Sequence, residues 1–455
     1  MSSPLPRGWT VFERLHAEQE IPWALAEGAY LRPAIFEQAA SSLSVAVLGP
    51  SGSGKTALRL LMEQQNNHWL CVEWRPALPD QTLPPETLTA YLLRQALGAC
   101  AAKVLPFLGQ EIQRIDKAEE WVQVTLSDFL QTYLQAPRGL LLSRLTPAIG
   151  IEAKNQLERF LNQPLAYRVF DPSMPPSQTI SYLAEAIQAM GLSGVWLMTD
   201  GVEPWLDADA GRLKLALGGM LSSLALFEES GFIIKLFLPD SLEPEVVASS
   251  GLTRRRIELL HLKWDHTVLS EITEKRLALA LGTESAALSE WFDTSVLNPL
   301  LIQYGGLQPR GWLEQIQRLA QVILDQTSPQ PLSAAEIDQI FWQRPPRLRL
   351  DLVNRRVYLG DGEISGIQPT AFQVLAYLYQ KRGAICSREE LFYCGYEGRE
   401  RPLTTGDTGY QYPKEYTGIL DTIFWRLRQA IEHDPEHPIY LITERNKGMR
   451  LNHVV

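Results

Sequence analysis

Eight consecutive residues near the N-terminus have the types and spacing of a phosphate-binding loop. Residues 49–56 read G-P-S-G-S-G-K-T and match the pattern G-x-x-x-x-G-K-[ST] at every fixed position. In such a loop, backbone N–H groups and the positive end of the following helix surround an anion. The Lys55 ammonium would reach the β- and γ-phosphates of a nucleotide, and the Thr56 hydroxyl would bind Mg²⁺. The residues predicted to surround the phosphates are Gly49, Pro50, Ser51, Gly52, Ser53 and Gly54.

The segments on either side of this loop have the character that a phosphate-binding loop requires. The apolar run 43–48 predicts a buried parallel strand before the loop, and residues 56–64 have the apolar periodicity of a helix after it. A strand, a glycine-rich turn and a helix in this order direct several backbone N–H groups toward one point. The alternative is a glycine-rich turn that matches by chance, and the flanking pattern argues against it.

A second strand places carboxylates where a nucleotide site would need them. The apolar residues 195–198 precede Thr199 and Asp200, and Gly201 turns the chain at once. Carboxylates at the carboxyl ends of parallel strands hold Mg²⁺ in nucleotide sites, so Asp200 is predicted as the metal residue. Glu203 is predicted as the base that activates an attacking water. The alternative is that both are solvated residues at a strand end.

Strands and helices alternate through the first half of the chain. The predicted elements are strands at 68–74, 194–199 and 232–238 and helices within 87–165, 180–190 and 211–228. This alternation predicts an α/β fold with a parallel sheet. Two helical patterns without a strand between them follow, at 269–281 and 311–324, and predict a helical lid.

Composition excludes several classes of protein. The 455 residues are 45% hydrophobic and 21% charged, as in globular proteins of two or three domains. No apolar run approaches the ~18 residues of a membrane span, and the N-terminal residues lack the apolar core of a secretion signal. The four cysteines have no C-x-x-C spacing. We therefore expect a cytoplasmic protein with no zinc site, no disulfides and no membrane partner.

The charge is unevenly distributed along the chain. The net charge is −10, yet residues 344–455 contain 16 Lys and Arg against 14 Asp and Glu. A nearly neutral to basic tail on an acidic body predicts two modules with different partners.

The nucleotide motifs resemble those of the STAND branch of the AAA+ ATPases, the signal-transducing NTPases. In that branch the strand ends in D-G-h-D-E, where h is apolar, and residues 200–204 read D-G-V-E-P. The resemblance covers roughly residues 30–325 and implies that ATP and Mg²⁺ are bound and that ATP is hydrolysed slowly. Residues 305–310, G-G-L-Q-P-R, resemble the G-x-P-R turn of the helical lid. This match implies that Arg310 contacts the nucleotide as a second sensor.

Residues 347–455 have a different pattern of elements. The predicted order is a short antiparallel pair at 347–353 and 355–359, helices starting near 369 and 387, a helix over 414–433 and a hairpin over 439–452. Strands, three helices and a closing hairpin predict a small α+β winged helix-turn-helix domain.

The third helix of this module is the basis for predicting what the module binds. The apolar residues on its predicted inward face are Tyr416, Ile419, Leu420, Ile423, Leu427, Ala430 and Ile431. The opposite face presents cations and hydrogen-bonding groups, as a recognition helix in a DNA groove does. The residues predicted to contact DNA are Lys414, Thr417, Thr422, Trp425, Arg426 and Arg428 on the helix and Arg445, Lys447 and Arg450 on the hairpin. The alternative is a protein-interaction module with a charged, solvated helix.

This module resembles the OmpR/PhoB-type effector domain of response regulators. The matching segments are Q-P-T-A-F at 368–372, S-R-E-E-L at 387–391, R-L-R at 426–428 and I-T-E-R-N-K-G-M-R-L at 442–451. The resemblance implies binding to duplex DNA. It also places the long loop 396–412 where such domains often touch RNA polymerase.

These motifs predict five segments: an N-terminal lead-in (1–40), a P-loop NTPase core (41–265), a helical lid (266–327), a linker (328–346) and a winged-helix DNA-binding domain (347–455). The function that they favour is transcriptional regulation by an ATP-binding protein whose NTPase state controls the winged helix. One alternative is a DNA-handling AAA+ ATPase for transposition, recombination or phage defence, loaded by the winged helix. Another is a nucleotide-dependent scaffold without useful hydrolysis. A nucleotide-dependent homo-oligomer is a further expectation.

Overall fold

The computed structural model describes residues 30–454 except 135–137, 163, 172, 252–255, 353 and 446. The predicted lead-in therefore lies outside the described residues up to residue 29. The chain divides into an N-terminal unit, which contains residues 32–263, and a C-terminal unit, which contains residues 264–455.

A five-stranded sheet forms the centre of the N-terminal unit. All its neighbouring strands are parallel, in the order β2-β3-β4-β1-β5. The strands are β1 (Ser44–Leu48), β2 (Trp69–Trp74), β3 (Gly194–Thr199), β4 (Phe232–Leu238) and β5 (Ile257–His261). Every residue of β1 and of β3 is buried, as expected for strands covered on both faces. The predicted α/β fold with a parallel sheet is confirmed.

Helices connect and cover these strands. The longer helices are α1 (Lys55–Gln65), α2 (Leu88–Gln110), α3 (Glu120–Tyr133), α4 (Arg138–Asn162), α5 (Pro176–Ala189), α6 (Glu203–Leu221) and α7 (Glu243–Ser249). Shorter helical turns occur at Phe36–Ala39, Pro85–Thr87, Ile112–Ile115, Leu224–Phe227 and Asp240–Leu242. Helix α2 packs against β2 and α6, and its apolar residues join one continuous core with the sheet.

The edge strand β5 was not predicted from the sequence. It pairs with β1 from Ser44 opposite Ile257 to Leu48 opposite His261. Three of its five residues, with Glu258 and His261 among them, are only partly buried. A short edge strand with polar residues gives a weak apolar signal, which explains the omission.

A buried lysine on β4 fixes the segment that leads into β1. The Lys235 ammonium donates to the carbonyl oxygens of Ala39 at 2.8 Å, Ser41 at 2.6 Å and Leu43 at 2.6 Å. It also lies 4.8 Å from the centre of a Trp196 ring. Burial lowers the pKa of Lys235 to about 7. The three carbonyl oxygens and the ring face compensate for the buried ammonium and hold the entry to the phosphate loop in place.

Four helices begin the C-terminal unit. They are α8 (His266–Leu281), α9 (Thr294–Gly305), α10 (Pro309–Leu324) and α11 (Ala334–Gln343), with a short turn at Leu288–Trp291. Asp265 caps α8 by accepting from the Val268 N–H at 2.9 Å, and Asp293 caps α9 by accepting from the Ser295 N–H at 3.0 Å. Helix α10 buries one apolar face, and α9, α10 and α11 pack against one another.

The rest of the C-terminal unit has the elements of a winged helix. They are β6 (Leu348–Asp351), β7 (Arg356–Leu359), β8 (Gly362–Ile364), α12 (Pro369–Gln380), the helical turns Arg388–Glu390 and Leu391–Tyr396, α13 (Pro413–Ile431), β9 (Leu441–Glu444) and β10 (Gly448–Leu451). Strands β6, β7 and β8 form an antiparallel sheet, whereas the prediction contained only two of them. Strands β9 and β10 form the closing hairpin, as predicted.

A helix occupies much of the segment predicted as a linker. Helix α11 spans Ala334–Gln343, and Ser333 and Glu336 form a capping box at its start. The S-x-x-E pattern at 333–336 is visible in the sequence and signals a helix start. Helix α11 therefore belongs to the packed C-terminal unit rather than to a flexible connection.

Glycines allow the helical part of the C-terminal unit to touch its winged-helix part directly. The Asp361 N–H, in the turn between β7 and β8, donates to the Tyr304 carbonyl at 3.0 Å. A Cβ added at Gly362 would lie 1.7 Å from the Gln303 carbonyl oxygen, and one at Gly311 would lie 2.9 Å from Asp361 Oδ2. We call this contact region, formed by residues 303, 304, 311, 361 and 362, the glycine junction. The backbones approach so closely there that a side chain at Gly362 or Gly311 would clash.

Among the described residues, no helix combines the length and the apolar character that a membrane crossing needs.

Candidate functional site

The phosphate loop follows β1 and ends at the first turn of α1. Gly52 has φ of 83° and Gly54, the N-cap of α1, has φ of 95°. Both values lie in the left-handed region, which glycine adopts at little cost. They let the chain double back so that the N–H groups at the start of α1 surround one space.

Gly49 is required for a different reason. A Cβ at this position would lie 2.6 Å from Ser53 Oγ and 3.3 Å from Ser53 Cβ. A side chain at residue 49 would therefore force the Ser53 side chain to move. Its absence leaves a compact cradle of backbone groups, which fits the phosphates of a nucleotide.

Lys55 closes this cradle. Its ammonium donates to the carbonyl oxygens of Gly49 at 2.7 Å and Pro50 at 3.0 Å, and the residue is 6% exposed. The ammonium is thus held over the loop, where an incoming phosphate could replace the carbonyl acceptors. The position fits the predicted role of Lys55.

Glu203 lies beside Lys55. Glu203 Oε1 is 3.9 Å from Lys55 Nζ, and its side chain is 39% exposed. Glu203 is the first residue of α6, and Pro204 follows it where a missing N–H does no harm. The fold thus brings together two of the predicted site residues, from motifs far apart in sequence.

Asp200 follows β3 directly and is 5% exposed. Each of its carboxylate oxygens already accepts one hydrogen bond. Oδ2 accepts from Arg59 Nε at 3.1 Å, and Oδ1 accepts from the Gly201 N–H at 2.9 Å. A divalent cation bound to Asp200 would have to lie next to the Arg59 guanidinium. The donor set therefore fits a metal at Asp200 poorly, although the nucleotide cradle fits phosphates well.

Arg59 is the residue that the sequence interpretation missed. It projects from α1, is 0% exposed, and lies 3.1 Å from Glu73 and 3.6 Å from Glu63 as well as 3.1 Å from Asp200. The Arg59–Asp200 pair spans 141 residues of sequence. The available signal was a charged residue on the apolar face of a helix, which indicates a buried partner.

Over the described residues, no three His, Cys, Asp or Glu side chains are grouped as metal ligands would be. All four cysteines are free and buried.

Arg310 belongs to the C-terminal unit and is the second residue of α10. Burial raises the pKa of the Glu314 carboxyl, and the positive charge of Arg310 opposes that shift. Arg310 also opposes the rise in the pKa of Asp361, which burial raises to about 6. Its charge therefore acts on two carboxyl groups at the glycine junction. Its predicted contact with a nucleotide stays a prediction.

The buried and exposed faces of helix α13 agree with the prediction except at two residues. The buried residues are Tyr416, Leu420, Ile423, Phe424, Leu427 and Ile431. Phe424 was not predicted to be buried, and Ile419 is 39% exposed although it was assigned to the inward face. Ile419 lies at the edge of the apolar stripe, where a periodicity argument is least decisive.

Several predicted DNA contacts are accessible. The exposed side chains are Lys414, Thr422, Trp425, Arg426, Arg445 and Lys447. Trp425 is 62% exposed, so the long loop before α13 does not cover it. Arg426 donates to Gln368 Oε1 at the start of α12 and remains exposed.

Other predicted contacts make bonds inside the module. Arg428 donates to the Leu441 carbonyl at 3.0 Å and to Thr443 Oγ1 at 2.7 Å, so it attaches α13 to the hairpin. Arg450 pairs with Glu444 at 2.9 Å across the hairpin. Arg428 was predicted to face outward, but it is half-buried because its long side chain reaches back to β9.

The two threonines bond to their own helix. Thr417 Oγ1 donates to the Pro413 carbonyl at 2.5 Å, and Thr422 Oγ1 donates to the Gly418 carbonyl at 2.9 Å. Thr417 is half-buried and Thr422 is exposed. Each hydroxyl keeps acceptor capacity for another group.

No protein-family model matches the chain, and no curated protein matches it. Two solved structures illustrate the similarities that were found. The DNA-binding domain of Klebsiella pneumoniae RstA, in complex with the RstA box, is 25% identical with a TM-score of 0.18, over 22% of this chain and 87% of that chain. The Orc1 protein of Aeropyrum pernix, in complex with DNA, is 13% identical with a TM-score of 0.36, over 93% of this chain and 90% of that chain.

Proposed function

We propose that this chain is an ATP-binding, nucleotide-controlled DNA-binding protein that regulates transcription. The observation that carries the proposal is the phosphate cradle, in which Lys55 Nζ lies 2.7 Å from the Gly49 carbonyl oxygen and 3.9 Å from Glu203. A winged-helix part follows in the same chain. A chain that contains both a nucleotide site and a DNA-binding module can use the nucleotide state to control DNA binding.

ATP would be held by the loop that joins β1 to α1. Its phosphates would accept from the Lys55 ammonium and from loop N–H groups other than those of Gly49 and Ser53, which already donate to the Leu238 and Pro50 carbonyls. Pro50 has no N–H to offer. Thr56 offers the hydroxyl that would meet a Mg²⁺ ion on those phosphates. The nucleotide supplies a bond whose hydrolysis changes the charge and shape of the occupied site.

Slow hydrolysis is the proposed way in which the switch resets. The Glu203 carboxylate is partly exposed and beside the loop lysine, so it is suited to take a proton from water at the site. We further propose that the unit is a STAND-type NTPase, on the strength of residues 200–203. Residue 204 is Pro where that branch has its final Glu, and Pro204 is the second residue of α6, where its missing N–H does no harm.

Duplex DNA is the proposed ligand of the winged helix. Lys414 and Arg426 on α13, and Arg445 and Lys447 at the hairpin, are exposed cations that would meet phosphates or base edges. Arg428 would instead act indirectly, because it holds the hairpin to α13.

The remaining proposals concern the setting. A cytoplasmic location agrees with four free cysteines. The loop 396–412 is folded on itself, since Arg401 pairs with Asp407 at 2.9 Å and the Tyr393 hydroxyl donates to the Gln411 carbonyl at 3.2 Å. We propose this loop as a surface for RNA polymerase, and we propose a nucleotide-dependent homo-oligomer.

Genome-wide footprinting of cells that carry the wild-type chain or Lys55→Ala tests the proposal. We expect discrete footprints in promoter regions for the wild type, and their loss or redistribution for the variant at equal protein levels. Equal footprints for both proteins would show that nucleotide does not control DNA binding. DNA-stimulated ATP turnover without promoter preference would instead indicate a DNA-handling motor.

A further inference from the structure

The carboxylate of Asp200 is already neutralised by a residue of the chain itself. Arg59 Nε donates to Asp200 Oδ2 at 3.1 Å, and the Gly201 N–H donates to Oδ1 at 2.9 Å. Both members of the ion pair are buried, Arg59 at 0% and Asp200 at 5% exposure. The contact is therefore shielded from solvent and from salt.

Arg59 is fixed in this position by two further carboxylates. Its Nη2 lies 3.1 Å from Glu73 and its Nη1 lies 3.6 Å from Glu63. Glu63 in turn pairs with Lys103 on α2 at 2.8 Å. A buried guanidinium needs such partners because desolvation of an unpaired charge is costly. The network joins α1, β2, α2 and the residue after β3, so Arg59 cannot move away without leaving its own guanidinium and the Asp200 carboxylate unpaired.

This arrangement changes what Asp200 can offer to a metal ion. A carboxylate attracts a divalent cation through its negative charge, and the guanidinium at hydrogen-bond distance cancels most of that charge at short range. The guanidinium also repels any cation that approaches the same oxygen atoms. Burial strengthens both effects, since little water lies between the charges.

We propose that Arg59 sets the metal requirement of the nucleotide site: its guanidinium occupies Asp200, so a Mg²⁺ ion on ATP would gain the Thr56 hydroxyl but not this carboxylate, and ATP binds with little help from Mg²⁺. The inference rests on the proposed function in one respect, namely that ATP binds at residues 49–56. The inference goes beyond the proposed function because it assigns Arg59 a specificity-determining role, which Arg59 exerts through Asp200.

ATP binding with and without metal tests the inference on the unmodified chain. A fluorescent ATP analogue is titrated into the full chain in buffer with Mg²⁺ and in buffer with EDTA. We expect the two dissociation constants to agree within about threefold. A loss of affinity of more than about tenfold in EDTA would overturn the proposal.

The Arg59→Met variant identifies the residue responsible. Removal of the guanidinium leaves Asp200 without a cation, whereas Glu63 keeps Lys103 and Glu73 keeps Arg75. A divalent cation should now be attracted to Asp200. We expect Mg²⁺ to strengthen binding at least about tenfold over EDTA in this variant. Continued metal independence in a folded Arg59→Met protein would contradict the role of Arg59.

Two further proteins serve as controls. Lys103→Met removes a cation from the exposed end of the same network without touching Asp200, and it should keep the metal independence of the wild type. Arg59→Met combined with Asp200→Asn removes both buried charges, and it should again bind without regard to metal. If Arg59→Met does not fold, the wild-type comparison and this double variant still decide the proposal.

The outcomes separate this inference from the proposed function. If the wild type binds the analogue only with Mg²⁺, the role of Arg59 is refuted and the nucleotide site stands. If it binds in neither buffer, the nucleotide site itself is refuted.

Discussion

In the proposed nucleotide site, the Lys55 side chain is already bonded to the loop. Its ammonium donates to two loop carbonyls, at 2.7 and 3.0 Å. A phosphate can replace these carbonyls as acceptor and form stronger, charge-assisted bonds. The exchange needs movement of one side chain only, so little reorganisation of the loop accompanies binding.

Lys55→Ala should greatly weaken ATP binding. Hydrogen bonds to charged groups contribute ~1.5–3 kcal/mol each, so we expect affinity to fall by at least about tenfold. Calorimetry of the full chain measures the change, with Lys117→Ala, an exposed lysine of the same unit, as the control. Unchanged affinity in Lys55→Ala would mean that the loop is not the nucleotide site.

Glu203→Gln should separate binding from hydrolysis. The amide keeps the shape of the side chain and loses the ability to accept a proton from water. General-base catalysis contributes ~10²–10⁴-fold to rate, so turnover should fall within that range while ATP affinity changes little. Single-turnover hydrolysis with radiolabelled ATP provides the measurement. Equal rates for variant and wild type would remove Glu203 from the reaction.

At the scale of residues, neighbours could be predicted from the sequence where a motif fixes their spacing, and they could not be predicted where the partner is remote. The loop motif and the residues 200–203 each carry a local spacing, and the fold places Lys55 3.9 Å from Glu203. No local sequence motif indicates the Arg59–Asp200 pair, since 141 residues separate its members. Arg428 shows the related limit, because helical periodicity cannot show that a long side chain reaches back to β9.

At the scale of secondary-structure elements, the glycine junction joins the helical part of the C-terminal unit to its winged-helix part. The turn between α9 and α10 meets the turn between β7 and β8, with the Asp361 N–H bonded to the Tyr304 carbonyl at 3.0 Å. The Tyr440 hydroxyl donates to the Pro346 carbonyl at 2.6 Å, and the Trp342 and His433 rings stack at 4.3 Å. The helical and winged-helix parts are therefore packed together, and a displacement of one would carry the other.

Gly362→Ala should loosen this junction. The added Cβ would lie 1.7 Å from the Gln303 carbonyl oxygen, so backbone must shift. Such overpacking costs ~1–3 kcal/mol or more. Thermal unfolding of the full chain should show a lower midpoint for Gly362→Ala. Gly406→Ala is the matched control because nothing lies within 4 Å of its added Cβ. Equal midpoints for the two variants would show that the junction is not tightly packed.

The carboxyl of Asp361, a half-buried residue, should make this junction sensitive to pH. Burial raises the pKa of Asp361 from 3.8 to about 6, and the negative charge of Glu314 adds to the rise. Between these two pKa values the folded chain binds more protons than the unfolded chain. The contribution of Asp361 to the free energy of unfolding is therefore fully present below pH ~4 and is lost as the pH rises through ~6.

Asp361→Asn tests this pH dependence, because the amide keeps the shape and cannot ionise. The difference in unfolding midpoint between variant and wild type should grow from pH 4 to pH 7, with the variant more stable at pH 7 by up to ~3 kcal/mol. A variant that is less stable at pH 7 would mean that Asp361 is ionised and paired with Arg310 or Arg349.

The elements that were missed share a physical cause. Strand β5 is a partly polar edge strand, and β8 has three residues, too few for a periodic pattern. Both form because neighbouring strands offer unpaired backbone groups, which is tertiary information. Helix α11 is different, since the capping box at Ser333 was present in the sequence and the proline-rich flanks obscured it.

At the scale of the whole chain, two units carry two kinds of site. The N-terminal unit contains the phosphate cradle with Lys55, Arg59, Asp200 and Glu203, and the C-terminal unit contains the winged helix. The central claim of the proposed function is that occupancy of the first changes the DNA affinity of the second. Because linkage is reciprocal, DNA must then change the affinity for ATP by the same factor.

The most direct test is a titration of one labelled duplex, taken from a footprinted promoter, with the full chain. It is performed with and without a non-hydrolysable ATP analogue, at fixed salt because phosphate contacts depend on ionic strength. The account predicts a change in DNA affinity of roughly 5–150-fold and the same factor for ATP binding with and without DNA. Lys55→Ala should abolish both changes. Equal DNA affinities in the two conditions, with no effect of DNA on ATP binding, would contradict the account and leave two independent sites on one chain.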